Sequence, residues 1–194
     1  MTLLTVWPDT DATMVLTRTD DPDQIKKALS DLGVRFDRWS VLPGLSAEPT
    51  TQEVLDLYRE QIKRIEAAEG YAVEDTASIA PSDDPDAPAK IAAARQKFFA
   101  EHTHDDDEDR FFARGSGVFY LHVQANVYAL LCEAGDLLSV PAHTTHWYDM
   151  SSHPDFVAIR FFHDPNGWVG NFTGSDIARH FPDADALAAS QIIR

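Results

Sequence analysis

Basic residues are scarce in this sequence of 194 residues. It has 16 lysines and arginines against 32 aspartates and glutamates, which gives a net charge of −16 at pH 7. Such a chain repels the phosphate backbone of nucleic acids and the surface of anionic lipids, and no basic stripe offsets that repulsion. We therefore expect neither nucleic acid nor membrane as a partner. The same charge favours good solubility, and a small anionic ligand would need cations placed at its own site. We expect a monomer, although nothing in the sequence reveals the oligomeric state.

Cysteine and long apolar runs are also missing. The single cysteine, Cys132, excludes a disulfide within the chain and fits a reducing compartment. No apolar run reaches the ~20 residues that a transmembrane helix needs, and the first residues lack the basic and apolar regions of a signal peptide. We therefore expect a cytoplasmic protein. Hydrophobic residues make up 44% of the chain, which is enough for a folded core.

Three segments in the first 97 residues have helical patterns. The first spans 21–33, with an aspartate N-cap before a proline and a glycine at its end. The second is capped by Thr50 or Thr51 and closed by Gly70, with one apolar face between them. A third, shorter helix is predicted at about 88–97. The first half of the chain is therefore expected to be rich in helix.

After residue 98 the pattern changes to short strands. Apolar runs alternate with glycine, asparagine and aspartate turn signals, and these runs are GVFYLHV, VYALLCE, LLSVP and DFVAIRFF. Such a succession is typical of an all-β sandwich or barrel. We therefore predict a mainly β protein with an N-terminal α-helical elaboration. It forms one domain over 1–194, with a helix-rich part at 1–97, the core barrel at 98–165, and a C-terminal segment packed on the barrel at 166–194.

A candidate metal site lies in the segment EHTHDDDEDR. His102 and His104 are two residues apart and share a face if they lie on a strand. A turn could bring Glu108 beside both imidazoles, and His146 in VPAHTTH could join them from a neighbouring strand. Imidazole nitrogens with one carboxylate suit a first-row transition metal better than calcium. His143 is an open alternative for the fourth ligand, because it lies only three residues before His146.

The competing interpretation of this segment is a solvated acidic loop that contains histidines by chance. We predict that interpretation only for its aspartates, which we expect to form a hydrated turn: Asp105, Asp106, Asp107 and Asp109. They lack the spacing and the central glycine of a calcium-binding loop. Four histidines have no partner pattern and are expected to have ordinary roles: His122, His153, His163 and His180.

The spacing of the candidate ligands resembles the two cupin motifs, G-x5-H-x-H-x3-4-E-x6-G and G-x5-P-x-G-x2-H-x3-N. In the first motif, Glu108 and the two histidines before it are followed by Gly115. The second motif is matched by Gly135, Pro141 and His146, which favours His146 as the fourth ligand. Three positions depart from the motifs, and none is a ligand position: Gln96, His143 and Met150.

Longer segments resemble the acireductone dioxygenase family of the cupins. They span nearly the whole chain in that family's order, and they are GVRFDRW, EHTHDDDEDRFFARGSGVFYLHV, VPAHTTHWYDM, AIRFF and GWVGNFTGSDIA. The resemblance implies a cupin barrel, which is a jelly roll or double-stranded β-helix. It implies that the metal ligands are His102, His104, Glu108 and His146, and that the catalytic cations are Arg110 and Arg160. Thr145 and Tyr148 stand where we expect proline and phenylalanine in the family.

Alternation along strands bears on both arginines. Arg110 has the parity of Glu108 and Phe112, which would point it into the barrel beside the metal. Arg160 lies in a strongly apolar strand and shares the parity of Phe162. A buried arginine there needs an anionic partner, which could be the substrate or a structural carboxylate.

The resemblance also implies a reaction. It predicts one Fe2+ or Ni2+ per chain and an acireductone substrate, 1,2-dihydroxy-3-keto-5-methylthiopentene, which reacts with O2. In the family, the iron form yields formate and 4-methylthio-2-oxobutanoate in methionine salvage, and the nickel form yields formate, carbon monoxide and 3-methylthiopropionate. Ligands of these types do not distinguish the two metals. Two alternatives stay open: another metallo-cupin, such as a different dioxygenase or an isomerase, and a non-enzymatic cupin that binds a small molecule.

Overall fold

A computed structural model describes residues 1–190 of the chain, so the last four residues of the predicted C-terminal segment lie outside the described part. The strands are β1 Leu3–Pro8, β2 Thr17–Thr19, β3 Arg35–Arg38, β4 Val73–Ile79, β5 His102–Thr103, β6 Glu108–Val123, β7 Asn126–Glu133, β8 Asp136–Val140, β9 His146–Asp149, β10 Phe156–Phe162 and β11 Asn171–Phe172. The helices are α1 Pro22–Ser30, α2 Thr51–Leu57, α3 Arg59–Glu69, α4 Ala87–Phe98 and α5 Ala184–Ala189, with a 3-10 helix at Ile177–His180. None of these helices is long and apolar enough to cross a membrane. The mainly β prediction is confirmed.

The three predicted helical segments are helical for local reasons. The Asp21 side chain accepts hydrogen bonds from two backbone N–H groups in the first turn of α1. Thr50 and Glu53 form a capping box at the start of α2, and Gly70 ends α3 in the left-handed conformation, with φ 83°. The second segment is two helices rather than one, because the chain leaves helical geometry at Tyr58.

The first 97 residues also contain four strands that the sequence patterns did not predict. Three of them pair directly with strands of the barrel: β1 with β7, β3 with β8, and β4 with β10. The fourth, β2, pairs with β1. Their alternation is weak, since β4 for example is half-buried along almost its whole length. The N-terminal part is therefore built into the sheets as well as being rich in helix.

Strand β6 is shared by two antiparallel sheets. Its first half pairs with β8 and β10, and its second half pairs with β7 and β9. One sheet has the order β4-β10-β6-β8-β3, and the other has the order β11-β5-β9-β6-β7-β1-β2. The strand continues through Gly115, where φ is 72° and a Cβ would lie 1.8 Å from the carbonyl oxygen of Asp155. Only glycine fits at that position.

Alternation along β6 sends its side chains into different cores. The pairing with β10 is irregular between Phe112 and Arg114, so the alternation changes phase there, and Phe112 and Phe119 both join the cluster between the two sheets. In the first half of the strand the other face, with Phe111, packs under α2 and α3, where Tyr58 is fully buried. A third cluster lies against the second half of β6 and includes Phe181 from the C-terminal segment. Consecutive residues of β6 therefore belong to different environments, which matters for the site that begins at its first residue.

Candidate metal centre

Three buried histidines come together where β5 pairs with β9. His102 lies on β5 directly opposite His146 on β9, and His104 follows β5 by one residue. Within the described residues this is the group of metal-binding side chains that could hold one ion, since its ligand atoms all lie within 4.8 Å of one another. The sequence-predicted histidines are thus brought together by strand pairing.

The hydrogen bonds of these histidines leave one nitrogen of each ring for a ligand. In each ring, Nδ1 forms a hydrogen bond with a backbone carbonyl oxygen. The distances are 2.7 Å from His102 to Ala100, 2.9 Å from His104 to Val169, and 2.7 Å from His146 to Thr144. A carbonyl oxygen only accepts, so each Nδ1 carries the proton and each Nε2 offers a lone pair. Fixing the ring in this way is how proteins orient metal-binding histidines.

Glu108, the first residue of β6, faces the same space. Its Oε2 atom lies 3.0 Å from Nε2 of His146 and 3.6 Å from Nε2 of His104. The His146 nitrogen is buried and has no hydrogen-bond partner among residues 1–190, because its contact with Glu108 lies outside hydrogen-bond geometry. Two acceptor atoms this close repel each other unless a cation lies between them. The side chains present therefore fit a divalent ion held by three nitrogens and one oxygen.

The pKa values of these groups follow from burial and charge. Burial, with a smaller contribution from His146, lowers the pKa of His102 to about 4, so this ring is neutral at pH 7. Burial alone would raise the pKa of Glu108, but Arg110 and the neighbouring histidines hold it well below its usual range. Burial would lower the pKa of His104, but the Glu108 carboxylate outweighs it and raises that pKa. Glu108 is therefore ionised, as a metal ligand must be.

A cavity of about 420 Å³ opens beside the four side chains. Its walls are formed by Lys97, Phe98, His102, His104, Glu108, Arg110, Tyr148, Arg160, Phe162, Trp168, Val169, Gly170 and Phe172. Its lining combines three of the candidate ligands and two arginines with several aromatic side chains. That arrangement suits a small ligand that is polar at one end and apolar at the other.

Both predicted arginines lie in this cavity wall. Arg110 is buried, its Nη2 atom donates to Glu108, and its guanidinium lies 4.6 Å from the centre of the Tyr148 ring. Arg160 is half-buried and forms two hydrogen bonds with Asp75, Nε to Oδ1 at 2.8 Å and Nη2 to Oδ2 at 2.6 Å. The anionic partner that the apolar strand requires is thus a structural carboxylate.

The comparisons with known proteins agree with this geometry. The model of the ARD/ARD′ family matches residues 10–170 of the chain. Acireductone dioxygenase of Saccharopolyspora erythraea is 60% identical over 98% of this chain and 100% of its own length.

The chain belongs to the acireductone dioxygenase family.

Further relatives fit this assignment. The acireductone dioxygenase of Frankia alni is 54% identical over 97% of this chain and 91% of its own length. A solved acireductone dioxygenase from Bacillus anthracis, described with a cadmium ion in its active center, has a TM-score of 0.75 and 26% identity. It covers 89% of this chain and 98% of its own. This chain is therefore an enzyme with the fold of the acireductone dioxygenases.

His143 lies apart from the histidine cluster. It is exposed, its backbone is left-handed with φ 64°, and its nearest charged partner is Asp105, at 3.7 Å. The structure therefore places it in the turn before β9, as expected if His146 is the ligand of this acireductone dioxygenase family member.

The prediction that four aspartates form a hydrated turn is wrong for most of them. Asp109 is fully buried and forms an ion pair with Arg35 at 2.9 Å, because the alternation of β6 turns it toward α3. Asp107 accepts a hydrogen bond from the backbone of Ala142. Asp106 accepts from the backbone N–H groups of residues 163 and 164. Of the four, only Asp105 is largely exposed.

The sequence analysis placed most of a second feature in the C-terminal segment packed on the barrel but did not assign it to the site: the wall segment, residues 163–173, carries four of the cavity-lining residues. It lies against residues 101–106 through several hydrogen bonds, including those of Asp106 and one from Thr173 to Glu101 at 2.6 Å. A Cβ at Gly170 would lie 3.2 Å from the His102 ring, so a glycine permits this close approach. The signal available in the sequence was the pair of glycines in GWVG, which the acireductone dioxygenase resemblance includes.

Proposed function

We propose that this enzyme cleaves the acireductone 1,2-dihydroxy-3-keto-5-methylthiopentene with O2 in methionine salvage. The observation that carries the proposal is the set of three histidines and Glu108 beside a cavity whose lining also contains two arginines. The names and high identity of the relatives support the same substrate.

The ligands of this proposal are His102, His104, Glu108 and His146, which would hold one Fe2+ or Ni2+. When bound, the ion supplies Lewis acidity that stabilises the deprotonated, electron-rich enediolate form of the substrate. The backbone carbonyls on Nδ1 keep the three imidazoles in the orientation that binding requires.

The remaining residues of the cavity bind and orient the substrate. Arg110 and Arg160 offset the negative charge of the enediolate, since both line the same cavity as three of the candidate ligands. Aromatic side chains such as Phe98, Phe162 and Trp168 form an apolar wall suited to the methylthio tail, and they exclude water from the reacting atoms. The proposed products are formate and 4-methylthio-2-oxobutanoate for iron, or formate, carbon monoxide and 3-methylthiopropionate for nickel.

Single-turnover chemistry tests this function. Metal-free protein is loaded with Fe2+ or Ni2+, mixed anaerobically with the acireductone, and then exposed to O2 while substrate loss and products are followed. We expect consumption of substrate and O2 in equal amounts with at least one metal. Absence of turnover with both metals would falsify the proposal. Other products would indicate a different metallo-cupin reaction, and purified protein that binds neither metal would indicate a non-enzymatic cupin.

The setting of the enzyme is also part of the proposal. We propose a cytoplasmic monomer: the one cysteine, Cys132, is buried and free, and the net charge of −16 opposes association of copies. Light scattering of the metal-loaded protein measures the oligomeric state directly.

A further inference from the structure

Four charged side chains lie close together on β4, β10 and the start of β6, and three of them line the cavity: Arg160, Arg110 and Glu108. The pairing of β4, β10 and β6 places Asp75 directly opposite Arg160, and Arg160 directly opposite Arg110. Residues directly opposite on neighbouring antiparallel strands share a face, so two arginines stand side by side there, an arrangement that is unfavourable by itself. Each arginine has its own carboxylate, Asp75 for Arg160 and Glu108 for Arg110. The order of charges is therefore negative, positive, positive, negative.

The two arginines are held by different means. Arg110 is enclosed: the rings of Phe119 and Tyr148 lie 4.9 and 4.6 Å from its guanidinium carbon, and its buried Nε atom has no partner in the part of the chain that the structure describes. Arg160 is 19% exposed, and within that same part its guanidinium contacts one ring, that of Phe162 at 5.4 Å. Packing alone therefore fixes Arg110 but not Arg160.

Asp75 provides the geometry that packing does not. Its two oxygens bind Nε and Nη2 of Arg160 at 2.8 and 2.6 Å, which is a bidentate arrangement that defines the plane of the guanidinium. Without this carboxylate, repulsion from Arg110 would favour rotation of Arg160 toward solvent, which its partial exposure allows. One side chain of β4 therefore determines whether two cations or one face the cavity.

We propose that Asp75 is a positioning residue that holds Arg160 beside Arg110, so that the two guanidinium groups bind one small dianion together. For the identity of its natural ligand, the enediolate, this inference rests on the proposed function. The double-cation site itself is independent of that function, because any compact dianion of suitable size should bind to it.

Sulfate binding to the nickel-loaded protein, measured by titration calorimetry, tests the site. We expect Asp75→Asn to raise the sulfate Kd about tenfold, since a charged bidentate contact fixes one of the two cations. Glu74→Gln is the matched control: it removes the same charge from the neighbouring position of β4, whose side chain points to the opposite face. Its Kd should stay within about twofold of the wild-type value.

A double-mutant cycle separates positioning from a structural effect. If Asp75 acts through Arg160, then Asp75→Asn should change nothing further in an Arg160→Gln background. Equal or tighter sulfate binding by Asp75→Asn would contradict the proposal, and so would wild-type binding no tighter than that of Arg160→Gln. Melting temperatures check that each variant is folded.

Turnover of the acireductone links the site to the reaction. In this assay we expect Asp75→Asn to raise the KM for the acireductone and to change kcat less. Glu74→Gln should leave both constants near their wild-type values. Failure of the wild-type protein to turn over the acireductone would count against the proposed function alone, because the sulfate result does not depend on it.

Discussion

Two histidines three residues apart have opposite environments in this protein. His146 is 2% exposed at the start of β9, and its Nδ1 is bound to the carbonyl of Thr144. His143 is exposed in the preceding turn, with left-handed backbone. The ring of His146 therefore lies with those of His102 and His104, whereas the ring of His143 does not.

We therefore expect His146→Ala to lose metal and His143→Ala to keep it. Removal of a residue that only supports a ligand costs about 10- to 100-fold in metal affinity, so removal of a ligand should cost at least 100-fold. Competition with a chromophoric chelator measures both dissociation constants. Comparable losses in the two variants would contradict the choice of His146 over His143 as the ligand.

The face of Arg110 could be predicted from alternation, but the partner of Asp109 could not. The parity that turns Arg110 toward the cavity also turns Asp109 to the opposite face, where a charge needs a partner. That partner, Arg35, lies 74 residues earlier and reaches Asp109 through the pairing of β3 with β8 and of β8 with β6. Motif spacing describes residues near each other in the chain, whereas contacts between distant strands depend on the whole sheet.

At the scale of elements, the wall segment is held in place mainly by side-chain hydrogen bonds, because it has little strand pairing of its own. It contains one two-residue strand, β11, which pairs with β5. Its beginning is fixed by Asp106, whose Oδ2 accepts from the backbone of His163 at 2.7 Å and of Asp164 at 2.9 Å. This part of the cavity wall therefore depends on one carboxylate.

We expect Asp106→Asn to loosen the wall segment without unfolding the protein. The amide carbonyl of asparagine is an uncharged and weaker acceptor, and its NH2 group must face either the N–H groups of residues 163 and 164 or the N–H of Asp107, so these hydrogen bonds weaken by about 1–3 kcal/mol in total. Hydrogen exchange of the backbone amides of residues 163 and 164 should become about tenfold faster or more. The exposed Asp176→Asn is the control, because no side-chain hydrogen bond caps the 3-10 helix that follows it. Equal exchange rates in the two variants would mean that Asp106 does not hold the segment.

Strands were predictable where alternation or apolar runs were strong, and not elsewhere. The predicted runs at 117–123 and 127–133 correspond to the second half of β6 and to β7. The continuation of β6 backward through Gly115 was missed, because glycine there indicates a turn, whereas the structure uses it for close approach to Asp155. Of the four N-terminal strands, β1 contains a buried apolar run, LLTVW, that sequence patterns could have identified, whereas the other three are short or only partly buried and depend on their pairing partners.

At the scale of the whole molecule, Asp136 joins three distant parts of the chain. It is fully buried at the start of β8, accepts a hydrogen bond from Thr2 at 2.6 Å, and lies 3.0 Å from Nε of Arg38. It also accepts from the backbone of Glu133, whose side chain forms an ion pair with the chain N-terminus. Burial outweighs these contacts and raises the pKa of Asp136 from 3.8 to about 6.

The raised pKa predicts how stability changes with pH. Between about pH 4 and pH 6 the folded protein holds a proton on Asp136 that the unfolded chain has released, so its contribution to stability is lost as pH rises through that range. A difference of two pH units corresponds to about 3 kcal/mol. Asp136→Asn cannot titrate, and it should therefore be most destabilised relative to wild type at pH 4 and less so above pH 6.5. Chemical denaturation of both metal-loaded proteins across this range measures the difference between their free energies of unfolding at each pH. The titrations of all other groups occur in both proteins and therefore cancel in this difference. A difference that is constant with pH, or that grows as pH rises, would show that the buried carboxyl is ionised throughout and that its contacts, not its burial, dominate.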